Sequence, residues 1–339
     1  MSVILPVEIY RNIVECISDK KTLLALALTS RTINCEAERV LYDTITNVYD
    51  VDTYTRVLSH VTTCPRVARL VRHLHIILRT YVPPTHALFA ILPDALRALP
   101  NLTTLVFRAA GGYPTVHLPL DSTFQLEHLD WPCISPTLPT FLSSQAGLKV
   151  LLNVDLPMEH DTLSSAALPY LEHLSGNLEA LKTILPGRSV KHLQWISSKQ
   201  DEEAGGLAEE MNNLANELST VESLHLGGSF HHPSLALVAP HLTNLRKLEL
   251  FGVELADFAY APQLPKLEEL TLSAQWGSSN GALPRGENAC VAKLFAGSET
   301  LQTVLVALPV YWPLQAFCQA YEKWGRGKTR PEISNKGIL

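Results

Sequence analysis

Eight times between residues 71 and 306 the chain repeats one pattern, apolar, two residues, apolar, one residue, apolar, and twice more it repeats the first part of it. The early copies are Val71-x-x-Leu74-x-Ile76, Leu102-x-x-Leu105-x-Phe107, Leu126-x-x-Leu129-x-Trp131 and Val190-x-x-Leu193-x-Trp195. Leu148-x-x-Leu151 and Leu171-x-x-Leu174 carry the first two positions only. The clearest copies come later: Val221-x-x-Leu224-x-Leu226, Leu245-x-x-Leu248-x-Leu250, Leu267-x-x-Leu270-x-Leu272 and Leu301-x-x-Val304-x-Val306. The second and third apolar positions lie two apart, so on a short strand both point to one side. One such strand cannot bury its own leucines. Stacking the units side by side joins them into a continuous core, which is the logic of a solenoid.

Successive copies start 31, 24, 22, 23, 19, 31, 24, 22 and 34 residues apart. Most of these steps match the leucine-rich-repeat period of about 20–29 residues, and the longer ones imply insertions. Each unit must return through a helix or an irregular arm. Candidates are 85–99, 138–145, 178–185, 201–218 and 289–296. The polar Asn that often follows a leucine-rich strand is mostly absent, with Val253, Ser229 and Ala274 in such places. An irregular array is therefore expected over 65–312, with about ten repeats. The stretch 313–325 reads as an amphipathic helix closing it, and 326–339 as a polar, disordered tail.

The first 48 residues have a different period. Leu5, Ile9, Ile13 and Ile17 fall at i, i+4, i+8 and i+12, with Cys16 beside them, which makes one apolar helical stripe. Pro6 suits a helix start, and Glu8 places negative charge at the positive helix end. Asp19 is a candidate N-cap for a second helix from Lys20, holding Leu23, Leu24, Leu26, Ala27 and Leu28. That helix is apolar nearly all round, which predicts burial on more than one side. Ser30 can cap a third, with Ile33, Ala37, Val40 and Leu41. Residues 49–64 fit a linking helix. A module of about 45 residues rarely has a core large enough to stand alone, so it gives its apolar face either to a partner or to the repeats behind it.

The run Leu5-Pro6-x-Glu8-Ile9-x-x-x-Ile13, then Leu23-Leu24-x-Leu26-x-Leu28-Thr29-Ser30-Arg31, then Leu41-Tyr42-x-x-Ile45 resembles an F-box. It is most similar to those of fungal F-box proteins with leucine-rich C-terminal regions. The resemblance implies an α/β chain: a three-helix F-box-like module, then a leucine-rich-repeat solenoid of short parallel strands with helical or irregular return arms. It also implies a non-catalytic substrate receptor of a Skp–cullin–F-box ubiquitin ligase, bound to a Skp-type adaptor and through it to a cullin scaffold. Carried over by position, Leu5, Pro6, Ile9, Ile13, Leu24 and Leu28 line the adaptor interface, with Glu8 at its rim. Ile33 stands where many F-boxes place an aromatic residue, and keeps the apolar contact without the large anchor. The alternative is a leucine-rich scaffold whose N-terminal helices only cap the repeats. Exposure of Ile9 and Ile13 in the isolated chain discriminates the two.

Residues between the inward leucines are the expected target-binding positions. Histidine precedes the central leucine at His73, His128, His173 and His192, and neighbouring outward positions hold His75, Asp130, Gln194, His225, Glu249 and Thr271. If the repeats stack in register, His173 and His192 are neighbours at about 5 Å. Such histidines either line a ligand face that changes charge between about pH 5 and 8, or serve as half-polar strand residues. No metal site is expected, because no Cys or carboxylate ligands lie at close spacing.

Other signals exclude more than they assert. Net charge is −6 with a pI of about 6.1, which gives no basic footprint for nucleic acid. The longest apolar runs fall far short of the ~20 residues of a membrane span. Six scattered cysteines read as reduced, mostly buried thiols of a cytoplasmic or nuclear protein. Gly111-Gly112 and Gly227-Gly228 lie outside any phosphate-binding motif, and His231-His232-Pro233 lacks the Glu of a HExxH helix. No catalytic constellation and no cofactor site is legible. The target protein is not readable from the sequence.

Overall fold

A computed structural model of the chain describes all residues except 1–5, 47–49, 80, 110–114, 158–161, 197–205, 228–234, 252–258, 274–286, 308–317, 329–330 and 338–339. At 273, 287–290, 318–320 and 333–337 it describes the backbone alone. The fold is α/β with mostly parallel strands. It divides into two compact units: residues 1–150 with 167–170, and residues 151–166 with 171–339.

The first unit opens with three short helices, α1 (Val7–Glu15), α2 (Lys20–Ala27) and α3 (Arg31–Asp43). Pro6 is the residue just before α1, and its carbonyl accepts from the Ile9 amide. The Asp19 carboxylate accepts from the amides of Lys21 and Thr22, and Ser30 Oγ accepts from the Ile33 amide, so both helices start at capped ends. Asp19 titrates below the usual carboxylate range, chiefly because the Thr22 hydroxyl bonds its charged form. Val14, Leu23 and Ala37 form the small core, with Ile17, Ala27, Ile33, Val40 and Leu41 packed around it. Glu36 on α3 ties the helices together: Arg11 Nε donates to it at 3.0 Å and Arg39 Nε at 3.2 Å. Those guanidinium bonds, Arg11 first, hold the Glu36 carboxyl below its ordinary range. In α2, however, only Leu23 is buried. The expectation of burial on more than one side of this helix does not hold, because the core is too small to reach its second face.

From α3 the chain passes into β1 (Thr44–Ile45), which pairs in parallel with β2 (His73–Leu78). Helix α4 (Val51–Thr63) lies between them in sequence, with Asp50 as N-cap. Because β1 is only two residues long, it leaves the rest of the β2 edge unpaired. Tyr54 of α4 supplies the missing bonds: its hydroxyl donates to the His75 carbonyl at 2.9 Å and accepts from the Ile77 amide at 3.2 Å. Strands β3 (Thr104–Ala109) and β4 (His128–Asp130) extend the parallel order. Leu74, Leu105 and Leu129 share one register row and are fully buried. The return arm 85–99 contains α6 (Ala87–Arg97), after the single-turn α5 (Pro65–Ala68), and 138–145 contains α7 (Leu138–Ser143).

The second unit continues the pattern. Its strands are β5 (Val150–Val154, in this unit from Leu151), β6 (His173–Gly176), β7 (His192–Trp195), β8 (Ser223–Leu226), β9 (Lys247–Phe251), β10 (Glu269–Ser273) and β11 (Thr303–Ala307). From β6 to β11 neighbours pair in parallel and in register, so Leu174, Leu193, Leu224, Leu248, Leu270 and Val304 make one buried row. Return helices are α8 (Leu178–Ile184), α9 (Leu207–Asn213), α10 (Ala215–Leu218), α11 (Leu235–Val238) and α12 (Glu287–Gly297). Close strand contact needs Gly227: its φ is +138°, and a Cβ there would meet the Phe251 carbonyl oxygen at 2.4 Å.

The C-terminal end corrects two expectations. Instead of a capping helix within 313–325, residues Cys318–Gly325 form β12, antiparallel to β11. Instead of a disordered tail over 326–339, Glu332–Gly337 form β13, antiparallel to β12. Tyr321 and Trp324 are both buried and three apart, which mimics helical spacing. They lie on opposite faces of one strand, because Tyr321 pairs with Ala307 and Trp324 with Val304. The tail misled by its polarity, which suits an edge strand held by backbone bonds. The positions of Val253, Ser229 and Ala274 lie outside the described residues.

Candidate functional site

Two kinds of surface stand out. One is apolar and lies on the N-terminal helices. On α1, Val7, Ile9 and Ile13 are 41, 42 and 49 % exposed; at and beyond the middle of α2, Leu24 and Leu28 are 56 and 88 % exposed. Ile9 and Ile13 are four apart, as are Leu24 and Leu28, so each pair occupies one helix face. Pro6 and Glu8 are exposed beside them. Leu5 lies outside the described residues. Ile33 is half-buried and packs in part on the module's own core, with its amide donating to Ser30 Oγ at 3.3 Å. Helix α3 is tied to the segment that follows it. Arg66 donates to Glu38 of α3 (Nη2 to Oε1, 2.9 Å), and α3 runs directly into β1.

The other kind of surface lies on the outward rows of the strands, and its histidines fall into one group per unit. In the first unit His73, Thr104 and His128 share a row, and His75, Val106 and Asp130 share the next. His73 Nε2 lies 3.8 Å from the Asp43 carboxylate. Burial, with the nearby His73, His128 and Arg108 as lesser causes, pushes His75 below the ordinary imidazole range. Burial lowers His128 as well. Asp130, expected to face the target, is instead fully buried, with Arg108 Nε donating to it at 2.7 Å. A carboxylate between large neighbours on a three-residue strand is covered, and the guanidinium compensates its charge.

In the second unit His173 and His192 are register partners whose rings stack at 4.1 Å with an interplanar angle of 11°. Gln194 and His225 pair in the adjacent row, followed by Glu249. His225 Nδ1 is 3.5 Å from the Glu249 carboxylate, and its ring stacks on Phe251 at 6.0 Å. Thr271, the next in that row, is a correction: it is 1 % exposed, because its register partner Leu305 belongs to an apolar cluster with Ala307 and Tyr321.

Three residues of these faces were not singled out in the sequence: Arg108, Lys247 and Phe251. Arg108 and Phe251 follow the last inward residues, Phe107 and Leu250, so continuing the alternation past the motif reaches them; Lys247 directly precedes the central Leu248, the place His73, His128, His173 and His192 hold in other copies. Clefts of about 330 and 380 Å³ open near Arg72 and Asn101 in the first unit, and near Lys191 and Arg246 in the second. Among the described residues no three His, Cys, Asp or Glu side chains converge as a metal site, and no helix is long and apolar enough to cross a membrane. No protein-family model matches this chain, and no curated protein matches it significantly.

Proposed function

We propose that the chain is a substrate receptor of a Skp–cullin–F-box ubiquitin ligase. The N-terminal helices dock on a Skp-type adaptor, and the leucine-rich repeats hold a target protein. One observation carries the reading: the apolar faces of α1 and α2 are exposed while the module's core and its α3 side are occupied. A pure cap would place Ile9 and Ile13 against the repeats, where they would be buried. Covering five such side chains would contribute several kcal/mol at about 1.5–3 kcal/mol per fully buried aliphatic residue, enough for a specific contact. The chemistry would then belong to the partners, and this chain would supply proximity.

The test is a pull-down with a purified Skp-type adaptor, comparing the intact chain with an Ile13→Asp, Leu28→Asp variant. Capture of the first and loss of the second, with circular dichroism unchanged, supports the reading. Failure of the folded intact chain to bind would leave the helices as a cap and the protein as a scaffold.

A further inference from the structure

The first outward row of the second unit runs His173, His192, Ser223, Lys247 across neighbouring strands. Its side chains can all donate hydrogen bonds, and it contains no carboxylate before Glu269. His192 and Lys247 are exposed, and His173 and Ser223 are half-buried. The two imidazoles are nearly parallel at 4.1 Å. At that distance two charged imidazoles would repel one another. A carboxylate lying over the pair would offset that repulsion and accept from the exposed His192 ring.

We propose that the His173–His192 pair, with Ser223 and Lys247 beside it, is the anchor for an aspartate or glutamate side chain of an acidic target segment, and that binding takes up protons. The proposal rests on the reading that the outward sheet faces hold the target. The charge in this row favours a carboxylate over a phosphate: its one fixed cation is a lysine, and no arginine fork is present to match a dianion. Other charged groups near the row are Glu172 and Lys191 at the entries of β6 and β7, Glu222 and His225 on the β8 side, and Arg246 at the entry of β9, which lies outside the row and is paired with Glu268 at 3.2 Å. β5 carries no charged residue. His225 already has a carboxylate partner in Glu249, so the adjacent row is less receptive to a second anion.

The experiment uses the full chain and fluorescein-labelled decapeptides of one backbone carrying Glu, Gln or phosphoserine at the same positions. Affinity is read by anisotropy between about pH 5.5 and 8 at a constant ionic strength of about 0.15 M. The Glu peptide is expected to bind, and to gain up to tenfold per pH unit of acidification for each proton taken up. ¹³C-labelled histidines should show His173 and His192 shifting together on addition of that peptide. His192→Gln keeps a polar side chain at an exposed position and should lose both the pH slope and at least tenfold in affinity at pH 6. Equal binding of the Gln peptide, a pH-independent Glu affinity, or an unaffected His192→Gln variant would overturn the proposal. Tighter phosphoserine than Glu binding at every pH would overturn the carboxylate assignment. His192→Gln leaves the adaptor-facing helices untouched, so the adaptor pull-down and the peptide titration can fail independently.

Discussion

Leu23 and Leu28 lie five residues apart on one short stretch, yet their environments are opposite: 3 % exposed against 88 %. Leu23 fills the core between α2 and α3, so Leu23→Ala removes buried methyl groups and leaves a cavity, at about 2–5 kcal/mol. With tenfold per 1.4 kcal/mol, the opening equilibrium of α3 should rise by roughly 30-fold to a few thousand-fold. Leu28→Ala touches little in the free chain and should change that equilibrium by no more than about twofold, since exposed substitutions stay within about 0.5 kcal/mol. The ranking reverses for adaptor binding. Covering Leu28 is worth about 2 kcal/mol, so Leu28→Ala should weaken the complex by roughly 10- to 30-fold. Hydrogen exchange of the α3 backbone amides, followed by mass spectrometry, reads the first quantity, and a binding isotherm reads the second. If Leu28→Ala loosened α3 as much as Leu23→Ala, the exposed-face argument would be refuted, because Leu28 would then be packed in the free chain.

Three further outcomes follow from the same geometry. Arg108→Ala should destabilise the chain by about 2 kcal/mol, and adding Asp130→Asn should recover part of the loss in a urea titration, since the buried partner is no longer charged. His75 and His128 are held below the ordinary imidazole range, so the unfolded chain binds more protons. Stability present above about pH 6.5 is therefore lost as pH falls through and below it, and His75→Gln with His128→Gln should flatten the urea midpoint between about pH 7.5 and 5.5. Burial pushes the Cys133 thiol up to about 12, so it should resist iodoacetamide in the folded chain while exposed Cys16 and Cys35 are alkylated, as peptide mass spectrometry would show.

The strand order was legible because inward residues two apart leave a mark that survives irregular spacing. All ten motif copies, from Val71 to Val306, coincide with strands β2 to β11. The helix caps Asp19, Ser30 and Asp50 were legible for a similar reason: capping is local chemistry. Burial on the outward faces was not. Asp130 and Thr271 alternate correctly with their leucines, but what covers them comes from other strands, Arg108 in one case and the Leu305 cluster in the other. Ile33 shows the same limit on a helix, since its position in the motif does not say whether it turns toward the module's core or toward a partner. Strand β12 failed for the opposite reason. Two buried aromatics three apart spelled a helix on a strand that is covered on both sides.

Tyr54 has a consequence for how this chain can be cut. A fragment starting at Pro65 would keep β2 but lose both β1 and the hydroxyl that bonds the His75 carbonyl and the Ile77 amide. Its first strand would present a bare row of donors and acceptors, the template on which sheets join end to end. Repeats freed of their N-terminal helices would therefore tend toward fibrous assembly, and a soluble sheet fragment has to begin ahead of Thr44.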